Sequence, residues 1–281
     1  MLAWFATAGR DLPWRRTRDP WAVLVAEVML QQTQVPRVVG PWARFLDVFP
    51  TPASLAAQPV AAAVERWAGL GYNRRAVNLH RAATAMVVQH GGRVPDVLAD
   101  LLALPGVGPY TARAVLAFAF ERDEAVLDTN SARVAARVSG RALKGREAQA
   151  ILDAAVPAGA GWAWNQALLD VGALHCRPGM PSCDACPFAA GCAWRVARHP
   201  PPDPAVGSAA VSTRQARFEG SDRQGRGRLV AALRAGPVPE GSVAQVMGWA
   251  QRPERASAVI ARLTSEGLVE RRDGSWRLVG R

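Results

Sequence analysis

The stretch that most constrains the chain is Leu104 to Asn130, LPGVGPYTARAVLAFAFERDEAVLDTN. Gly106 and Gly108 flank Val107 between two apolar runs of helical spacing, so the sequence predicts a tight turn that opens a helix over 111–120. A turn with no side chains in the way lets backbone N–H groups approach a ligand, and at a helix N-terminus those groups favour an anion such as phosphate. A polar loop follows and leads to Asp128 and Asn130. A glycine turn alone is a weak signal, and a plain helical corner with a solvated aspartate reads equally well from these residues.

Composition narrows the partners. With 281 residues the chain can hold two domains with their own cores, and 49% hydrophobic residues with only 7% aromatics favour packed helices over a β-sandwich. The formal net charge of +11, from 34 basic against 23 acidic residues, points to a polyanion, because neutralising phosphates releases condensed counterions. Nucleic acid is the leading candidate. No apolar run has membrane-span length and MLAWFATAGRDLPWRR lacks a signal-peptide layout, so the expectation is a cytoplasmic protein with no membrane partner.

Cys176, Cys183, Cys186 and Cys192 are separated by six, two and five residues. In a chain this long they read as one metal site rather than a disulfide framework, and four thiolates in one loop suit either zinc or an iron–sulfur cluster. Prolines and small residues over Arg198–Ala210 read as a linker.

Near the N-terminus, Arg10 to Arg18 is basic with Trp14 embedded, and Asp19-Pro20 predicts an N-cap followed by proline in the first helical turn. That helix is expected to run to Val35 and stop before Pro36. Glu27 interrupts an otherwise apolar run from Trp21 to Leu30. Buried there, its carboxylate form would be disfavoured by desolvation and its pKa raised, which suits a general acid working near neutrality. A glutamate on the one wet face of the helix is the alternative.

These residues carry a resemblance. The glycine hairpin followed by Asp128 is similar to the helix–hairpin–helix motif, with trailing aspartate, of base-excision DNA glycosylases of the endonuclease III superfamily. Glu27-Val28-Met29-Leu30-Gln31-Gln32-Thr33-Gln34-Val35 resembles the signature of adenine glycosylases of the MutY type nearly residue for residue. The resemblance implies a mainly α fold: residues 1–20 and 125–200 as an iron–sulfur cluster domain, 21–124 as a helical domain with the hairpin, 201–220 as linker. It implies that Arg10, Trp14, Arg15 and Leu30 line an adenine pocket and that Gln31 fills the space left by the extruded base. Tyr72, in WAGLGYNRRAVNLH, is implied to wedge into the base stack, and Gly106 and Gly108 to hold DNA backbone, often with a monovalent cation.

The implied catalytic set is Glu27, Asp128, Tyr110 and Asn130. Glu27 protonates the departing adenine, Asp128 stabilises or captures the sugar cation, and Asn130 orients Asp128 or the water. Bifunctional relatives carry a lysine where Tyr110 stands. A phenol cannot form their Schiff base, so Tyr110 points to a monofunctional enzyme. The cysteine spacing resembles the superfamily's [4Fe–4S] loop, with Cys176, Cys183, Cys186 and Cys192 as ligands.

The implied partner is double-stranded DNA containing A:8-oxoguanine or A:G, bound by a monomer that is nucleoid-associated when acting. A mismatch thymine or uracil glycosylase is the nearest alternative, which Glu27 argues against because the thymine-specific relatives lack it. A catalytically silent DNA-binding protein is the other. The sequence departs from the family pattern at Ser131, where an apolar residue is usual, at Asn73, where a second tyrosine is common, and at Gln166, where some members place a carboxylate. The tail is also too short for the Nudix-like domain with which many members read 8-oxoguanine. Residues 221–281 predict three helices, the first opened by a Ser221/Gln224 capping box, and then a hairpin turning at Asp273-Gly274. That is a small winged-helix-like domain, expected to expose Arg223, Arg226, Arg228, Arg271 and Arg272.

Overall fold

A computed structural model describes residues 1–209 and 217–281; part of the expected linker, residues 210–216, lies outside the described residues. The fold is mainly helical. In chain order the helices are α1 (Leu2–Ala8), α2 (Pro20–Leu30), α3 (Val35–Val48), α4 (Pro52–Ala56), α5 (Val60–Arg66), α6 (Arg74–Gln89), α7 (Leu98–Ala103), α8 (Pro109–Phe118), α9 (Thr129–Ser139), α10 (Gly145–Ala155), α11 (Gly161–Leu174) and α12 (Ala193–Val196). The tail adds α13 (Asp222–Ala235), β1 (Val238–Pro239), α14 (Val243–Met247), α15 (Pro253–Ser265), β2 (Val269–Arg272) and β3 (Ser275–Leu278).

Asp19 opens α2 as expected, its Oδ1 accepting from Trp21 N at 3.1 Å. The helix then ends at Leu30, short of the Val35 expected from the sequence. Gln32 turns the chain with φ 56°, and Pro36 sits in the first turn of α3. A proline in a first helical turn forfeits no intrahelical hydrogen bond, so it starts a helix as readily as it follows one. Pro109 does the same for α8, which begins and ends two residues before the expected 111–120.

The chain divides into two compact units. One takes Met1–Leu24, Asp96–Leu102 and the chain from Val107 through the cysteine loop. In it α9 packs against α10, α11 and α12, while α1 and α8 lie on α11. Val134, Leu143, Leu152, Leu168 and Val171 form its core.

The other unit takes Val25–Pro95, Ala103–Gly106 and the tail. There α6 packs on α4 and α5, and Phe45 meets Phe49 and Trp67 edge-on, with ring centroids 4.9 and 5.8 Å apart. The tail has the three helices and the hairpin expected, and β1 joins them to give an antiparallel sheet of order β1-β3-β2. It is seated on α5, where Ala61 N donates to Val279 O at 3.1 Å. Ser221 caps α13 by accepting from Gln224 N, but the Gln224 side chain returns to Gly220 N rather than Ser221 N.

Candidate active site

Asp128 is the N-cap of α9. Its Oδ1 accepts from the backbone N–H of Asn130 at 2.8 Å and of Ser131 at 2.7 Å, and its Oδ2 accepts from Asn130 Nδ2 at 2.8 Å. Ser131 completes a capping box: its Oγ accepts from Asp128 N and donates to Val126 O, both at 2.8 Å. The departure at Ser131 therefore has a local reason, since a fully buried hydroxyl fixes the turn that presents Asp128. Burial pushes the Asp128 carboxyl above the usual carboxylate range, and the donors from Ser131 and Asn130 oppose that without cancelling it. The result is an oriented carboxylate at the positive end of a helix.

Asn130 is itself held. Its Oδ1 accepts from Arg133 Nη2 at 2.8 Å, and Arg133 donates onward to Gly172 O at 2.8 Å and Cys176 O at 2.5 Å. A Cβ at Gly172 would lie 2.5 Å from Asn130 Cβ, so the glycine in α11 makes room for the asparagine. Arg133 thus ties the Asp128 turn to the start of the cysteine loop.

In the other unit, Glu27 is 4% exposed inside a run from Trp21 to Met29 that is buried throughout. The wet-face alternative is excluded: a helix apolar on all sides is a buried helix. Leu30 and Gln31 are half-buried at its end. The carbonyls of this end are gathered by Arg75, whose Nη1 donates to Val28 O, Met29 O and Gln31 O at 2.9, 2.7 and 2.5 Å. Arg75 Nη2 reaches Thr33 Oγ1 at 3.0 Å, Leu70 O at 3.3 Å and Gly71 O at 3.2 Å. Burial lowers the Arg75 pKa to about 10, and helix-end carbonyls help balance the charge. This buried cation links the helix of Glu27 to the loop of Tyr72.

Trp14 and Arg15 are buried near the N-terminus. Arg15 grips Asp170 of α11 with both guanidinium nitrogens, at 2.9 and 2.8 Å, and Arg10 adds its Nε at 2.7 Å and its backbone N at 2.8 Å. Burial alone would raise the Asp170 pKa, but the hydrogen bonds from Arg15 and Arg10 outweigh it and hold the carboxyl below the usual range. Gln166, one turn earlier, is also buried. Sequence reasoning missed Asp170, whose signal is a lone acid in the apolar helix GWAWNQALLDVGAL.

At the hairpin the two glycines differ. Gly106 has φ 80°, and a Cβ there would lie 2.7 Å from Asn78 Cβ, so only glycine fits. Gly108 is extended and a Cβ would meet nothing within 4 Å, which leaves the N-terminus of α8 open to approach. Tyr110 stands in the first turn of α8, half-buried. In the tail, Arg228, Arg271 and Arg272 are exposed as expected, whereas Arg223 and Arg226 are half-buried and Arg226 pairs with Glu266 at 2.6 Å.

All four cysteines line one cavity, with Arg137, Phe188 and Trp194 among its walls. Burial pushes the thiols of Cys176, Cys183 and Cys186 up; Arg137 opposes it at Cys176 and the Phe188 N–H at Cys186, while the neighbouring cysteines add to it at Cys183. Arg137 Nη1 donates to Cys176 Sγ at 3.4 Å while Asp203 anchors the same guanidinium at 3.0 and 2.6 Å. His199 Nε2 lies 3.4 Å from Cys183 Sγ. These contacts fix where the two sulfurs sit. Among the described residues, no three His, Cys, Asp or Glu side chains close on a position for a single metal ion.

Residues 25–156 match the family of HhH-GPD superfamily base excision DNA repair proteins. The chain is 39% identical over 290 residues to the adenine DNA glycosylase of Mycobacterium tuberculosis (strain ATCC 25618 / H37Rv), covering 100% of this chain and 92% of that one. It is 37% identical over 214 residues to the adenine DNA glycosylase of Homo sapiens, covering 69% of this chain and 38% of that one. The solved structure of a thermostable thymine-DNA glycosylase matches with a TM-score of 0.65 at 30% identity, over 70% of this chain and 93% of that one. With the buried Glu27, the capped Asp128 and the hairpin glycines in place, the chain belongs to the adenine DNA glycosylases of the helix–hairpin–helix base-excision repair superfamily.

Proposed function

We propose that the protein is a monofunctional glycosylase that hydrolyses the N-glycosidic bond of adenine mispaired with 8-oxoguanine or guanine in double-stranded DNA. The observation that carries the reading is the Asp128 turn: a carboxylate held by three donors is poised for a sugar cation. Asp128 stabilises or captures that cation, Asn130 keeps it oriented, and Glu27 protonates the departing adenine. Tyr110 supplies no amine, so the reaction stops at the abasic site. Trp14 and Leu30, with Arg10 and Arg15 set by Asp170, wall the adenine; Gln31 and Tyr72 plug the duplex as the base leaves. Gly106 and Gly108 admit DNA backbone and a monovalent cation at the hairpin.

Cys176, Cys183, Cys186 and Cys192 would hold a [4Fe–4S] cluster. Four thiols lining one cavity match the all-cysteine ligand set of such a cluster. Held there, such a cluster would brace the loop. The chain's own residues, Arg137 and His199, supply contacts to its sulfur ligands. The tail, with the element order of a winged helix, adds phosphate contacts that carry no base identity.

Product analysis tests the proposal. Single-turnover reactions on A:8-oxoguanine and A:G duplexes should yield abasic DNA that stays uncleaved until alkali is added, with T:G left intact. Borohydride trapping of a stoichiometric protein–DNA adduct would reveal lyase chemistry instead, and release of thymine from T:G would favour the mismatch thymine reading.

A further inference from the structure

The loop between α5 and α6 carries Tyr72 in a conformation that needs outside support. Tyr72 has φ 46°, in the left-handed region that side chains disfavour, and is 38% exposed. Just before it, Gly71 O accepts from Trp67 Nε1 and from Arg75 Nη2, at 3.2 Å each. Just after it, the support comes from the tail. Asn73 stands at the N-cap of α6, where an asparagine side chain ordinarily accepts from the first helical N–H groups. Here it makes no such cap, and its Oδ1 accepts from Arg234 Nη2 at 3.0 Å.

Arg234 lies in the last turn of α13 and also donates to Val64 O of α5, at 3.1 and 2.8 Å. Arg281 closes that end of α13 by donating to Leu233 O and Arg234 O, both at 2.7 Å. Towards the other end of α13, Arg223 Nη1 lies 3.5 Å from the Tyr72 hydroxyl. One tail helix therefore touches the loop at the strained tyrosine and at the residue after it. The two departures from the family pattern, Asn73 and the short tail, meet in one hydrogen bond.

We infer that α13 is a positioning element for base extrusion, with Arg234 setting the Tyr72 wedge through Asn73. The inference rests on the reading of Tyr72 as the wedge. A wedge whose loop relaxes out of the left-handed conformation is no longer aimed when the base leaves the stack, so the loss falls on extrusion and not on the bond-breaking step.

The test uses the full chain and two duplexes, one with adenine opposite guanine and one with adenine opposite an abasic site, where the target is already unpaired. Arg234→Met and Asn73→Ala should each slow single-turnover excision from A:G about tenfold, and the double variant should be no slower than Arg234→Met, because that variant already removes the contact to Asn73. On the unpaired adenine all three should stay within about twofold of wild type, since little extrusion cost remains there. Asn73→Asp, which keeps an acceptor for Arg234, should retain the wild-type rate. Additive losses, or equal slowing on both duplexes, would overturn the inference. A wild-type rate for Arg234→Met beside a slow Tyr72→Ala would overturn it while leaving the wedge standing; a wild-type rate for Tyr72→Ala on A:G would remove the wedge itself.

Discussion

Asn130 donates to Asp128 Oδ2 through Nδ2 while its Oδ1 accepts from Arg133, so the amide cannot turn over without losing both bonds. Its donor end is thereby fixed on the carboxylate, where it favours the anion and opposes the upward push of burial on the Asp128 pKa. Removing it in Asn130→Ala raises that pKa further. On the role proposed for Asp128, excision needs the anion and falls as pH drops through its pKa, so the acid limb of the single-turnover profile should move to higher pH in the variant. An acid limb unmoved, or moved to lower pH, would contradict the assignment.

Asp170 titrates with the opposite sign. Its pKa is held below the usual range by Arg15 and Arg10, so it contributes stability that is present above the unfolded-state pKa and lost as pH falls through the folded one. Asp170→Asn leaves the buried Arg15 without its counter-charge, at a cost of about 3–5 kcal/mol. Thermal denaturation at neutral pH should show a drop of roughly 10 °C, given the usual few degrees per kcal/mol for a chain of this size. The difference should shrink as the buffer is taken below the usual carboxylate range. A variant as stable as wild type at neutral pH would show that Asp170 does not anchor the arginines.

The cysteine loop predicts about four irons per chain and a brown protein, since four thiolates around one cavity match a [4Fe–4S] ligand set. Iron and zinc analysis of anaerobically prepared protein checks it. One zinc and no iron would contradict the cluster. Cys186→Ser should weaken DNA binding more than it slows chemistry on bound substrate.

The tail is seated on α5, so its role is better tested by point substitution than by deletion. Arg271 and Arg272 are exposed at the end of β2. Replacing both with serine should weaken binding to A:8-oxoguanine and A:G duplexes by similar factors and flatten the salt dependence, because fewer counterions are released. A loss confined to the 8-oxoguanine duplex would instead mark the tail as a base reader.

The residues legible in the sequence were those whose neighbours along the chain define them. The apolar run around Glu27 offered burial as one of two readings, and the glycine turn offered the hairpin beside a plain helical corner. Asp128-Thr129-Asn130-Ser131 also has capping-box spacing, which marks the start of α9. Arg75 lies in phase with the buried Leu79, Ala82 and Met86 of α6, so helical periodicity could have separated it from the exposed Arg74. Asp170 stands out as a lone acid in an apolar helix, but its partner, 155 residues away, was not legible, nor was the Arg133 contact to Cys176, 43 residues away. Proline misled at position 36, since it marks helix starts and stops alike.

The most direct test is single-turnover adenine release from A:8-oxoguanine duplex by Glu27→Gln beside wild type, with affinity measured in parallel. Glutamine keeps the size and hydrogen-bonding capacity of the buried side chain but cannot donate a carboxylic-acid proton. DNA binding should be unchanged and excision lower by several orders of magnitude, with Asp128→Asn similarly impaired. Excision by Glu27→Gln within about tenfold of wild type, less than the usual contribution of a general acid, would contradict the assignment.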